Sequence, residues 1–173
     1  YRVGDQQEAA GLIAEILRAR FGPGKIFQAS ISILPSRPLP DEILTAVRGA
    51  AVLLASHLGR PDGQVVAKYS LGPVRDHLAR ALNQPVTLAP DCVGPEVERL
   101  ATDANIRILL LENLRFHKEE EKNDPAFSQA LARLADVYVD DAFGAAHRAH
   151  ASIAGMAKFF TAKAAGLLMQ KEL

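Results

Sequence analysis

The chain has 173 residues, enough to bury a sizeable core, and 49% of them are hydrophobic, which excludes a compositionally disordered polymer. Twenty basic and twenty acidic side chains cancel, so neither a general nucleic-acid surface nor a polybasic membrane anchor is expected. Any anion binding has to come from a local cluster.

In chain order, residues 5–20 read as an amphipathic helix: Leu12, Ile13, Ile16 and Leu17 fall on one side, Asp5 is a candidate N-cap, and Gly22-Pro23-Gly24 is a stop. Residues 25–34, Lys-Ile-Phe-Gln-Ala-Ser-Ile-Ser-Ile-Leu, alternate in part and are compatible with a strand. Pro35, Pro38 and Pro40 then break regular structure, and Asp41 to Val47 suggests a short helix. From Ala50 the pattern turns regular. Ala50 to Ala55 is a continuous apolar run that ends in Ser56-His57-Leu58-Gly59-Arg60-Pro61. Leu71 to Leu82 is a predicted helix with Ser70 as cap and Pro73 in its first turn.

Pro85 to Ala89 is a short strand and Gly94 to Ala101 a helix. Ile106 to Leu111 is a second apolar strand, flowing into Glu112-Asn113-Leu114-Arg115-Phe116-His117. Asp124 caps a helix that opens with Pro125 and runs to about Ala135. Val137 to Val139 is a strand that leads into a small-residue loop carrying His147, Arg148 and His150. A last helical region is expected from Ser152 on, ending in Thr161 to Leu173. Strands that are apolar throughout, alternating with helices, predict an α/β fold: a doubly wound parallel sheet with helices on both faces, a Rossmann-like three-layer sandwich.

In such a sheet the loops after the strands share one edge, where ligands bind. Three of these loops carry cations. Arg60, Arg115 and Arg148 are therefore expected to converge with nearby histidines, and guanidinium groups recognise phosphate and carboxylate through paired hydrogen bonds. A small acid bearing both groups is the natural guest. Gly59 and Gly144 are expected to allow close backbone approach and positive φ.

Other groups weigh less. His147 and His150 have no matching cysteine or carboxylate pair in sequence, so no metal site is expected there. Asp140 and Asp141 suit an acid/base pair, but neighbours in a strand point to opposite faces, which favours a structural role for one of them. Lys118 to Lys122 reads as a solvated face. There is no phosphate-cradling glycine loop and no nucleophile elbow. Cys92 is the sole cysteine and cannot form an internal disulfide, so a reducing, cytoplasmic location is expected; it reads as a buried or half-buried packing residue more than a reactive thiol. No apolar run reaches about 18 residues, and no secretory signal opens the chain, so no membrane partner is expected. The first residue is Tyr1, which suggests a processed, truncated or engineered chain.

Several longer motifs carry a specific resemblance. Ser56-His57-Leu58-Gly59-Arg60-Pro61, Lys68-Tyr69-Ser70-Leu71, Leu110 to Phe116, Asp141-Ala142-Phe143-Gly144, His147-Arg148-Ala149-His150 and Gly166 to Met169 with Lys171-Glu172-Leu173 resemble the N-terminal domain of the phosphoglycerate kinase family over about residues 48–173. The resemblance implies one domain over 1–173, with a divergent 1–47 segment and without the family's nucleotide-binding C-terminal domain. It implies binding of 3-phosphoglycerate or 1,3-bisphosphoglycerate at His57, Leu58, Gly59, Arg60, Arg115 and Arg148. In the complete enzyme it implies phosphoryl transfer in glycolysis with Mg-ATP or Mg-ADP, none of it bound by this chain, which is expected to be inactive alone.

Residues 1–47 show neither the family's opening Val-Arg-Val-Asp-Phe-Asn-Val-Pro strand nor its Thr-Arg-Ile-Arg segment, and Asp140 stands where the family usually has asparagine. The alternative is a non-catalytic scaffold with an inherited, idle anion site, its exposed apolar surface favouring self-association.

Overall fold

The computed structural model describes residues 25–29 and 51–173. The helices expected at 5–20 and 41–47, the Gly22-Pro23-Gly24 stop, residues 30–34 and the three prolines lie outside the described residues.

Six strands form one parallel sheet in the order β3-β4-β2-β1-β5-β6. They are β1 Lys25–Ala29, β2 Ala51–Ala55, β3 Thr87–Leu88, β4 Ile108–Leu110, β5 Val137–Asp140 and β6 Ala162–Ala165. Among the described residues, five α-helices separate or follow them: α1 Gly72–Leu82, α2 Pro95–Thr102, α3 Lys118–Glu121, α4 Pro125–Ala132 and α5 Leu167–Glu172. The strand from the divergent segment sits in the middle of the sheet, paired on one side with β2 and on the other with β5.

The apolar strands are covered on both sides, which is the reason they lack polar alternation. Leu53, Ala55, Leu109 and Leu111 pack with Val97 and Ala101 of α2 and Phe127 and Leu131 of α4. Val52, Leu54, Ile108 and Leu110 face the other way and pack with Leu78 and Leu82 of α1. The three-layer arrangement follows from that division of alternate side chains.

Helix starts and stops follow local chemistry. Asp124 caps α4, its carboxylate accepting from Phe127 N at 2.8 Å. Asn83 ends α1 in the left-handed conformation, its amide donating to Ala79 O and Arg80 O. The cap of α1 differs from expectation. Leu71, not Ser70, is the capping residue, and its amide donates to Glu112 Oε1 at 2.7 Å. Ser70 Oγ still accepts from Gly72 N at 3.1 Å. The first two donors of this helix are thus met by a carboxylate 41 residues away and by the neighbouring serine hydroxyl.

The C-terminal region also differs. In place of one helical region there is a π-turn at Ala151–Gly155, a 3₁₀ turn at Met156–Phe159, strand β6 and the short α5. The alanines of 162–165 have high helix propensity, but pairing with β5 from Val137↔Ala162 to Asp140↔Ala165 overrides it.

Candidate functional site

Sheet register sets the site. Ala29 lies level with Ala55 and with Asp140, and Leu54 with Leu110. Strands β2, β4 and β5 therefore end at one height, and their loops leave from the same edge. The chain adds β2, β4 and β3 on one side of β1, then returns to lay β5 on the other, so the edge near β1 is the switch point where parallel sheets bind ligands.

The β4 loop is the frame. The Glu112 carboxylate accepts from Ser70 Oγ at 2.7 Å, Leu71 N at 2.7 Å and Asn113 N at 2.8 Å. Asn113 is fully buried; its Nδ2 donates to Leu58 O at 2.8 Å and Tyr69 O at 2.9 Å, while its Oδ1 accepts from Arg115 N at 3.0 Å. Leu114 N donates to Ser56 O at 3.1 Å. Together these bonds staple the His57–Arg60 loop to the turn that carries Arg115.

Arg115 is the central cation. Its side chain is 11% exposed. Nη1 donates to Gly59 O at 3.0 Å, and Glu121 Oε1 lies 3.6 Å from Nε. Nε itself is buried and makes no hydrogen bond. A buried guanidinium with a donor to spare suits an anionic guest. His57 is half-buried beside it. Burial first, then the charges of Arg115, His150 and Arg148, push its pKa down to about 4. The ring is neutral at physiological pH and offers a hydrogen bond instead of a charge.

Arg148 and Arg60 are both exposed. Arg148 acts on His57 and His150 through its charge, which ties it to the Arg115 group. Arg60 stands on the β2 loop and makes no side-chain hydrogen bond or ion pair with any described residue. Gly59 has φ of 67°, and a Cβ there would overlap the Tyr69 ring, so glycine is required. Gly144 differs from expectation: its φ is not positive and a Cβ would meet open space. Leu58 is 41% exposed, with its carbonyl held by Asn113.

The histidines of the β5 loop divide. His147 is exposed, while His150 is buried with Nδ1 3.7 Å from Glu120 Oε1, and its pKa is lowered by burial and by Arg115. Glu120 corrects the expectation of a solvated 118–122 face. Lys118, Glu119, Glu121 and Lys122 are exposed, but Glu120 points inward, accepting from Ser152 N at 3.0 Å and Ser152 Oγ at 2.6 Å. Burial raises its pKa against the pull of those bonds. No local pattern marks Glu120, because its partner lies 32 residues downstream.

Asp140 and Asp141 are both anchors, not an acid/base pair. Asp140 Oδ1 accepts from Ala142 N at 2.9 Å. Asp141 Oδ1 accepts from Leu168 N at 2.8 Å and Met169 N at 3.2 Å, capping α5. Burial raises the pKa of each.

The phosphoglycerate kinase family model matches residues 41–173, beginning somewhat ahead of the motifs that start near residue 48. The chain belongs to this family. It is 62% identical over 135 residues to the phosphoglycerate kinase of Solibacter usitatus, covering 78% of this chain and 34% of that one. It is 58% identical over 127 residues to the cytosolic phosphoglycerate kinase of Triticum aestivum, covering 73% and 31%. A solved phosphoglycerate kinase from Coxiella burnetii superposes with a TM-score of 0.67 at 32% identity, covering 86% of this chain and 40% of that one. The chain thus spans about a third of the length of its curated relatives. Relatives named cytosolic and chloroplastic both match. Among the described residues, no helix is long and apolar enough to cross a membrane.

Proposed function

We propose that this chain is the phosphoglycerate-binding part of a phosphoglycerate kinase. The whole enzyme transfers a phosphoryl group from the acyl phosphate of 1,3-bisphosphoglycerate to ADP, giving 3-phosphoglycerate and ATP. The acyl-oxygen bond to phosphorus breaks, and a bond from phosphorus to the ADP β-phosphate oxygen forms. The observation that carries the reading is Arg115: a buried guanidinium with an unused Nε, grouped with His57, His150 and Arg148 at the switch-point edge. Arg115, Arg148 and Arg60 supply the positive charge for the phosphate and carboxylate of the guest. Neutral His57 and the backbone of Leu58 and Gly59 shape the wall between them.

This chain's share of the chemistry is positioning and charge neutralisation, which dominate phosphoryl transfer. The nucleotide, carried as its magnesium complex, is the second substrate. One domain with the acid site on its sheet edge is the reading for 1–173. The buried free thiol of Cys92 supports a reducing compartment such as the cytoplasm.

Calorimetry with 3-phosphoglycerate tests the assignment. The chain should bind it, and Arg115→Ala and Arg148→Ala should each weaken binding roughly 10- to 100-fold, the value of one or two hydrogen bonds to a charged group. Binding that neither substitution alters would overturn the assignment and leave the idle scaffold. In a coupled ATP assay the 173-residue chain alone should show no turnover; substantial turnover would refute that part.

A further inference from the structure

The carboxyl edge of the sheet carries a second cluster beside β3 and β4. Asp91 and Cys92 follow β3, and His117 follows the β4 turn. Because β3 and β4 are paired neighbours, Thr87 with Leu109 and Leu88 with Leu110, their following loops run side by side. Asp91, Cys92 and His117 each offer one ligand atom, and these atoms all lie within 4.8 Å of one another.

The present contacts are simple. His117 Nε2 meets Asp91 Oδ1 at 2.5 Å, and the Cys92 thiol donates to Glu112 O at 3.1 Å. Cys92 N donates to the same Asp91 oxygen at 2.6 Å, which fixes the carboxylate at the start of this loop. The His117 ring is supported from behind by Phe127, 5.0 Å between ring centres. Cys92 is fully buried, but Asp91 and His117 are partly exposed, which leaves a solvent route to the cluster.

We propose that Asp91, Cys92 and His117 form a binding site for a zinc-class divalent cation, with water in the fourth position. One carboxylate, one thiolate and one imidazole are the donor set of zinc rather than magnesium or calcium, whose hard ions avoid sulfur. Zinc bonds of about 2.0–2.3 Å put tetrahedral ligand atoms roughly 3.3–3.8 Å apart, so small side-chain adjustments complete the site. Binding releases one proton, from Cys92 Sγ. His117 would bind through Nε2 with its ring proton on Nδ1, and the Asp91–His117 contact is replaced by two bonds to the metal.

The experiment uses the full, reduced, chelator-treated chain. Cadmium serves as the spectroscopic probe, because its thiolate charge-transfer band can come only from Cys92, the one cysteine of the chain. The band should saturate at one cadmium per chain, and zinc should abolish it by competition. Zinc affinity is then read against a chromophoric chelator. Cys92→Ala should remove the band. His117→Gln and Asp91→Asn, which alter partly exposed side chains, should keep the circular dichroism spectrum and weaken zinc at least as much as the roughly 10- to 100-fold that loss of an outer-shell partner costs. No band at saturating cadmium would overturn the site. So would a band of unchanged affinity in both His117→Gln and Asp91→Asn.

Discussion

Replacing Glu120 tests how the β5 loop is held. The residue is 3% exposed, and its carboxylate accepts hydrogen bonds from the amide and the hydroxyl of Ser152. Glu120→Ala leaves a buried amide and a buried hydroxyl without their acceptor. At roughly 1–3 kcal/mol for each orphaned group, less what water recovers, a loss of about 3 kcal/mol is expected. With a urea m-value of about 2 kcal/mol/M, the unfolding midpoint falls by roughly 1.5 M. Glu120→Gln keeps an acceptor oxygen and removes the buried charge, so its loss should stay within about 1 kcal/mol. The pH dependence has a definite sign. Burial raises the folded pKa of Glu120 above its ordinary 4.5, so its contribution to stability is fully present below 4.5 and is lost as pH rises through the folded value. The stability of the native chain relative to Glu120→Gln should therefore shrink as pH rises from acid to neutral. Urea unfolding of the three proteins across that range is the assay. If Glu120→Ala lies within about 0.5 kcal/mol of the native chain, the Ser152 contacts do not hold the loop. Equal loss in both variants would mean that the charge, not the acceptor, is what matters.

Two further outcomes bear on the site itself. The His57 ring should titrate near 4 by NMR instead of near 6.5, and its depressed pKa should contribute stability that is present above 6.5 and lost as pH falls toward 4; a midpoint at or above 6.5 would refute its placement beside Arg115. Asn113→Ala removes the partners of Leu58 O, Tyr69 O and Arg115 N, and should lower unfolding stability by about 3 kcal/mol while weakening 3-phosphoglycerate binding, since both cation-bearing loops lose their staple; unchanged affinity would show that the loops hold their geometry without it.

The parts of the fold legible in the sequence are those set by near neighbours. Asp124 before Pro125 marks α4, and the apolar runs at 51–55 and 108–110 mark buried strands, because burial on both faces demands continuous hydrophobicity. The placing of Arg60, Arg115 and Arg148 on loops at one edge has the same reason: once strands are parallel, their following loops share an edge. What escaped depended on partners far along the chain. Strand β6 is alanine-rich and reads as helix until β5 is beside it. Leu71 stands at the cap position of α1 without a capping side chain, its amide met by Glu112 while the Ser70 hydroxyl serves Gly72 N. Glu120 looked solvated in a run of charges, and only the fold brings Ser152 to it. The place of Lys25–Ala29 at the sheet centre likewise rests on pairing with β2 and β5, which no local pattern encodes.

The same distinction explains how a neutral chain gathers cations at one edge of the sheet. Twenty acids and twenty bases leave no overall field, so the local field depends on which charges are brought together and which are switched off. Burial and the neighbouring guanidinium groups hold His57 and His150 neutral, which removes two positive charges from a crowded edge. Arg115 is steadied by a carbonyl and by a carboxylate 3.6 Å away that is itself exposed and screened by water. Its charge is thus restrained in position without being cancelled. The guest proposed above would meet an Arg115 already held in place beside neutral imidazoles; this preorganisation, more than the number of cations, is what the stapled loops of β2 and β4 would provide.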